Sequence, residues 1–227
     1  MSNGLGHFVL MSGLFITFEG TEGSGKSTQV LLLAQRLRGI GYSVRQLREP
    51  GGTPIGEEIR QTLKHSQQNH AMTAEAELLM MNASRAQLVR EVIRPALALQ
   101  EIVLCDRFHD STVAYQGYGR GLDLEMVQTV IDFAIGETSP QLTFLLMISP
   151  AASEARRRGR ALEIAAQRDR FEEADRGFFE RVERGYRSIA IAARERVKLI
   201  DGTQSIAAVS AEIWQQVEPV LTGKATR

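Results

Sequence analysis

The chain runs to 227 residues, 43% hydrophobic and 24% charged, with 27 basic and 27 acidic residues that cancel at neutral pH. That length suits one sizeable domain with a full core between a sheet and its covering helices, and the balanced charge excludes a global field drawing the protein onto nucleic acid or an anionic membrane. The single cysteine, Cys105, excludes an internal disulfide and any multi-cysteine metal site, and no apolar stretch approaches membrane-spanning length.

Residues 1–13 read as a loose N-terminal extension, in which Met11-Ser12 repeats the opening Met1-Ser2. The extension lacks the basic start and long apolar run of a secretion signal, so a cytoplasmic protein is expected. From Leu14 onward short apolar runs alternate with helical patterns, which predicts a doubly wound α/β domain: a five-stranded parallel sheet with helices on both faces. Leu14–Glu19 is the first strand, and Thr28–Arg38 follows as a helix ended by Gly39 and Gly41. Val44–Arg48 is the second strand, stopped by Pro50-Gly51-Gly52. Thr73–Gln100 is helical and apolar on nearly every side, which predicts deep packing, with a kink or restart at Pro95. Ile102–Asp106, Leu142–Ile148 and Val197–Asp201 complete the strands, and Cys105 reads as a small buried hydrophobe. Asp123 and Ser149-Pro150 open helices, Phe178 to Ile189 marks another, and Ile206 to Val217 the last. One domain is expected over 14–222, with an arginine-rich lid at about 156–172.

The most specific local signal is Gly20-Thr21-Glu22-Gly23-Ser24-Gly25-Lys26-Ser27, which fits G-x-x-x-x-G-K-[ST] between a strand and a helix. Glycines let successive backbone N–H groups turn inward around a polyphosphate at a helix N-terminus, where the dipole favours anions. Lys26 reaches the outer phosphates of a nucleotide, and Ser27 offers a hydroxyl to Mg²⁺.

In open parallel sheets ligands bind beyond the C-terminal ends of the strands. Three such ends are polar here: the phosphate loop with Glu22, Arg48-Glu49-Pro50-Gly51-Gly52-Thr53, and Asp106-Arg107-Phe108 running into Ser111–Gly117. Asp106 and Glu49 are placed to hold Mg²⁺ or its waters, or are solvated loop charges. Arg48, Arg107 and Arg120 either clamp a second anion or pair with neighbouring acids such as Glu57. Arg85 interrupts an otherwise apolar helix, so burial requires it to meet a carboxylate or a ligand. Arg156-Arg157-Arg158-Gly159-Arg160 and Arg168-Asp169-Arg170 read either as a mobile flap over transferring phosphates or as a salt-bridged helix face.

Taken in order, these segments resemble the thymidylate kinases of the bacterial type, from Leu14 to Val220. The specific parts are the glutamate inside the phosphate loop, R-E-P-G-G-T, A-E-x-L-x-x-x-A-x-R-x-Q-L-V at Ala76–Val89, and S-T-x-A-Y-Q-G at Ser111–Gly117. The resemblance implies a P-loop nucleoside monophosphate kinase fold, transfer of the γ-phosphoryl of ATP to dTMP, and a homodimer. It implies that Gly20–Thr28 hold ATP and Mg²⁺, with Asp106 and Glu49 organising the metal. Arg48 and Arg107 would hold the acceptor phosphate, with Pro50 and Ser111 nearby. Arg85 would hydrogen-bond the thymine edge, and Thr112 and Gln116 would sit near the base. Tyr115 would crowd the 2′ position, and Glu22 would lie by the 3′-hydroxyl. Gly23 stands where other types carry a loop arginine, so a lid residue, Arg158 first with Arg160 and Arg170 behind it, would be the catalytic arginine.

Two features depart from the family pattern. Met81 stands where a phenylalanine usually stacks on thymine, and a thioether can also lie against an aromatic face. The lid segment Arg160–Arg168 is longer than the pattern by about eight residues. The alternatives are a monophosphate kinase with another or relaxed base preference, such as dUMP, a nucleotide-dependent switch ATPase, or an idle scaffold. No N-K-x-D guanine-reading segment is present, and a switch has no need of a second anion site.

Overall fold

The computed structural model describes residues 13–66, 68–149, 151–153, 155–156 and 175–223. The expected extension, apart from Gly13, and the lid arginines Arg158, Arg160 and Arg170 lie outside the described residues.

Five strands, β1 (Leu14–Glu19), β2 (Val44–Arg48), β3 (Ile102–Asp106), β4 (Leu142–Met147) and β5 (Val197–Asp201), pair in parallel in the order β2-β3-β1-β4-β5. β1 is buried throughout because both its edges and both its faces are covered. Its alternation divides the core in two. Leu14, Ile16 and Phe18 pack with Val30, Leu33 and Leu37 of α1 (Lys26–Gly39) and Val209, Ile213 and Val217 of α8 (Ile206–Leu221). Phe15 faces the other way, into Leu78 and Leu88 of α3 (Ala74–Leu88) and Val127 and Ile131 of α6 (Leu124–Ile135). On that same face Thr17 and Thr143 share a buried hydroxyl–hydroxyl bond of 2.7 Å. Phe178, Phe179, Val182 and Tyr186 of α7 (Arg176–Ala192) close the β4–β5 end with Ala114, Tyr115 and Leu145.

The helix ends follow their sequence signals. Asp123 caps α6 by accepting from Met126 N at 2.9 Å, Asp175 caps α7 by accepting from Phe178 N at 2.7 Å, and Ser205 caps α8 by accepting from Ala208 N at 3.2 Å. The long helical run divides: α3 passes into a π segment, Val89–Ile93, and restarts as α4 (Arg94–Ala98) with Pro95 in its first turn. Proline has no N–H to continue the ladder, so the register widens before it.

Three readings of the sequence need correction. Pro54–His65 is a helix, α2, that was not expected; Thr53 caps it by accepting from Gly56 N at 3.0 Å, and Pro54 occupies its first turn. Ser111–Gly117, to which no element was assigned, belongs to the short helix α5 (His109–Thr112) and a π segment, Val113–Gly119. The apolar run in α3 is not packed on all sides, because Leu79 is 59% exposed while Glu77 is fully buried. A Thr53→Ala variant is expected to lose about 1 kcal/mol of stability by freeing the α2 N-terminus. Denaturant unfolding checks this, and an unchanged midpoint would show that Pro54 alone sets the helix start.

Candidate active site

The phosphate loop follows β1 directly. Gly20 takes φ 131°, and a Cβ there would run into the Leu146 carbonyl oxygen, so the turn out of the strand requires glycine. Gly25, at φ 99°, caps α1 in a left-handed conformation. Lys26 is buried, and its Nζ donates to Gly20 O at 3.1 Å, Thr21 O at 2.8 Å and Ser24 Oγ at 3.4 Å. Burial, and then the nearby Arg107, lower its ammonium to about 7. Ser27 Oγ donates to Asp106 Oδ2 at 2.6 Å, which sets a hydroxyl and a carboxylate side by side.

A cavity of about 580 Å³ opens beside the loop. Its wall takes Glu22, Gly23, Gly25, Lys26, Ser27 and Thr28 from the loop, and Arg48, Glu49 and Pro50 from the end of β2 and just beyond it. Met81 and Arg85 come from α3, and Asp106, Arg107, Ser111, Thr112, Tyr115 and Gln116 from β3 and the segment after it. Gly20 and Ser24 stand behind this wall as acceptors for Lys26. Arg60, Lys64, Phe108, Arg156 and Phe179 also line the cavity and were not singled out as site residues. Arg60 and Lys64 are one turn apart on α2, so the signal that could have found them was the missed Thr53-Pro54 helix start. Arg156 opens the arginine run; its Nη1 donates to Gly23 O at 3.1 Å and Gly202 O at 3.0 Å, which anchors Arg156 itself on the phosphate loop.

Arg85, 2% exposed, meets the carboxylate that its burial required, and that carboxylate is Glu49. Its Nε and Nη2 reach Glu49 Oε2 at 2.9 and 2.7 Å, Nη1 donates to Asn82 Oδ1 at 2.8 Å, and Nη2 donates to Phe108 O at 3.1 Å. Burial raises the Glu49 carboxyl, with Arg85 opposing the rise, and Oε1 is buried without a hydrogen-bond partner among the described residues. Glu49, expected in the metal group, is thus committed to Arg85 through one oxygen. Arg48 pairs with Glu57 at 3.1 Å and stays half exposed. Arg120, expected as a third clamp for an anion, instead grips Glu77, with Nε to Oε1 at 3.1 Å and Nη2 to Oε2 at 2.9 Å.

Arg107 has no equivalent carboxylate contact among the described residues. It sits at φ 70°, a left-handed backbone that costs a bulky residue about 1–3 kcal/mol and persists only where the surroundings over-determine it. Here Arg107 N donates to Phe18 O at 2.9 Å, and the guanidinium reaches three hydroxyls: Ser111 at 3.0 Å, Tyr186 at 3.2 Å and Tyr115 at 3.3 Å. Ser111 and Tyr186 rest in turn on Glu19 Oε2, whose other oxygen accepts from Phe108 N at 2.7 Å. Glu19 and Tyr186 were missed because in sequence each is the last residue of a strand or one apolar-face position of a helix.

Burial, reinforced by Asp110, raises Glu19 from 4.5 to about 7. The folded chain therefore binds that proton more tightly than the unfolded chain, so Glu19's contribution to stability falls as the pH rises from 4.5 to about 7. Glu19→Gln removes the titration. The stability of wild type minus that of the variant should decline across this window in unfolding curves taken at several pH values, whereas a pH-independent difference would place Glu19 with ordinary exposed carboxyls.

Comparison with known proteins agrees with this geometry. A family model described as thymidylate kinase matches residues 18–213. Thymidylate kinase from Exiguobacterium sp. is 45% identical over 203 residues, covering 89% of this chain and 93% of the relative. That from Syntrophotalea carbinolica is 46% identical over 201 residues, covering 88% and 93%. The crystal structure of thymidylate kinase from Ehrlichia chaffeensis superposes with a TM-score of 0.72 at 33% identity, over 90% of this chain and 98% of the other. With its phosphate loop, its parallel sheet and a cavity lined by both that loop and Arg107, the chain belongs to the thymidylate kinase family, ATP-dependent enzymes of the P-loop nucleoside monophosphate kinase fold that phosphorylate dTMP to dTDP.

Proposed function

We propose that this chain transfers the γ-phosphoryl group of ATP to dTMP inside the cavity described above, with the two nucleotides entering from opposite ends. The observation that carries the assignment of roles is that Lys26 and Ser27 line the same 580 Å³ space as Arg85, Arg107 and Gln116. Two anionic phosphates must meet in line there, so positioning and cationic stabilisation dominate and no covalent intermediate is needed.

Gly20–Thr28 cradle the ATP phosphates, and Lys26, lowered to about 7 by burial, regains its full charge beside them. Ser27 Oγ and Asp106 Oδ2, 2.6 Å apart, are hard oxygen donors and fit Mg²⁺. Among the described residues no group of three or more His, Cys, Asp or Glu is arranged to hold a metal. The remaining ligands would therefore be phosphate oxygens and water, with Glu49 contributing only through Oε1. Mg²⁺, when bound, neutralises charge on the transferring phosphoryl oxygens. The acceptor phosphate falls to Arg107, assisted by Arg48, Ser111 and Pro50, while Glu22 and Tyr115 face the deoxyribose, Tyr115 crowding the 2′ position. In a bacterial-type enzyme the catalytic arginine comes from the lid, and Arg158 is assigned that role with Arg160 and Arg170 as alternates.

Base selection follows from donor and acceptor inventory. Arg85 offers donors only, which suits the O4 carbonyl of thymine, and Gln116 Oε1 is buried without a partner among the described residues, which suits an N3–H donor. Cytosine presents the reverse pattern at both positions. Thr112 and Met81 complete the wall, and with the smaller, flexible Met81 in place of a ring, dUMP is the second acceptor to be expected. A cytoplasmic setting suits the single buried cysteine, Cys105; among the described residues no helix is long and apolar enough to cross a membrane.

A homodimer is part of the same reading. Leu79 on α3 and Met126 and Phe133 on α6 are 59%, 60% and 82% exposed on helices that pack against each other, leaving an apolar face for a second copy. Phe133→Glu is expected to convert a dimer to a monomer in sedimentation velocity, and a monomeric wild type would overturn this part.

ADP formation from Mg-ATP with dTMP, dUMP, dCMP, dGMP or AMP, and with no acceptor, tests the function. Preference for dTMP with dUMP second is expected; acceptor-independent hydrolysis would instead indicate a switch ATPase. Lys26→Ala should lower turnover by at least about 10²-fold while leaving the melting temperature near that of wild type, and wild-type turnover would remove the phosphate loop from the mechanism.

A further inference from the structure

Gln116 carries a primary amide, whose oxygen and nitrogen ends are nearly the same shape and can exchange by rotation about one bond. Which end meets the base decides whether the site accepts from an N3–H or donates to an unprotonated N3. The structure contains the device that chooses. Glu77 is fully buried on α3, and its Oε1 accepts from Gln116 Nε2 at 2.8 Å. A carboxylate held by a guanidinium can only accept, so the amide nitrogen must turn toward Glu77, and the oxygen is left without a partner among the described residues. Arg120 keeps the carboxylate in place through both oxygens, at 3.1 and 2.9 Å, and its own guanidinium lies over the Phe178 ring at 4.7 Å. Glu77, Met81 and Arg85 are spaced four residues apart, so one stripe of α3 carries the orienting carboxylate, the apolar wall and the donor to the base.

We propose that Glu77, held by Arg120, is a specificity-determining positioning residue: it locks the Gln116 amide with its oxygen toward the substrate, and thereby selects bases that bear an N3–H. This rests on the assignment of Gln116 to the base. The penalty for a reversed amide is a lost hydrogen bond plus two donors facing each other in a buried site. That corresponds to roughly 10- to 100-fold in kcat/KM.

The test compares kcat/KM for dTMP and for 5-methyl-dCMP, which differ only in the donor and acceptor pattern at positions 3 and 4. Glu77→Gln supplies an amide that can satisfy Arg120 with its oxygen and donate its NH₂ to Gln116, turning the Gln116 nitrogen toward the base. It should lower kcat/KM for dTMP roughly 10- to 100-fold, mainly through KM, leave KM for ATP unchanged, and lower the dTMP to 5-methyl-dCMP ratio by a similar factor. Glu77→Asp, still an acceptor only, should keep the wild-type ratio. Equal losses on both acceptors would reduce Glu77 to a structural role and overturn the proposal. Should Glu77→Gln not fold, the double variant Glu77→Gln/Arg120→Gln, which removes both charges, is expected to show the same lowered ratio. Gln116→Ala separates the two levels. If it leaves the ratio unchanged, Gln116 does not read the base and both readings fall; if it collapses the ratio while Glu77→Gln does not, only the orienting role falls.

Discussion

The parallel pairing of β1 with β3, in the register that sets Phe18 opposite Asp106, is the constraint on which the site depends. The same register on the other side of β3 sets Arg48 opposite Asp106, so three strands end level and their next residues turn into one space. The phosphate loop leaves β1 at that level, and Ser27 Oγ therefore lies within 2.6 Å of Asp106 Oδ2 although 79 positions separate them. A slip of one residue would turn Asp106 to the opposite face of the sheet and put Cys105, now wholly buried, at the rim. The burial of β1 on both faces makes such a slip expensive, since Leu14, Ile16 and Phe18 on one face would exchange places with Phe15, Thr17 and Glu19 on the other.

The second organising feature is how buried and partly buried cations in and around the site are satisfied. A guanidinium taken out of water needs acceptors, and most of them here are carboxylates: Glu49 for Arg85, Glu77 for Arg120, Asp110 for Arg196. Arg107 is handled differently. Its side-chain contacts are the hydroxyls of Ser111, Tyr115 and Tyr186, and the carboxylate of Glu19 lies one hydrogen bond further back. Hydroxyls satisfy N–H groups without cancelling the charge, so Arg107 keeps its positive field facing the cavity. An acceptor phosphate has most to gain at that point, whereas Arg85, already paired with Glu49, is better suited to a neutral carbonyl. Under the proposed roles, base recognition and charge recognition would fall to different arginines, according to the partners each one has.

The strands, the phosphate loop and most helix starts were legible because each is written in local chemistry. Short apolar runs, glycines before a lysine and capping side chains act within a few residues of themselves. The missed helix α2 was equally local, and Thr53-Pro54 marks its start; the two glycines of R-E-P-G-G-T read as a loop and masked the capping threonine at its end. Arg85 shows a partial success. An arginine on an apolar helix stripe had to find a carboxylate or a ligand, and the structure supplies Glu49, but 36 positions of chain lie between them and nothing local links the two.

By itself the sequence determined that a parallel α/β sheet would present a polyphosphate loop, with acidic and basic residues at neighbouring strand ends, because those properties depend on spacing along the backbone. It also carried the family pattern through R-E-P-G-G-T and S-T-x-A-Y-Q-G. Only the tertiary structure decided which cation meets which anion: that Arg120 serves Glu77, that Arg107 is held by hydroxyls anchored on Glu19, and that Gln116 has its nitrogen taken and its oxygen left over among the described residues. The physical reason is that charge pairing and hydrogen-bond satisfaction are settled by distances of about 3 Å between residues brought together from different elements, and sequence separation carries no information about those distances.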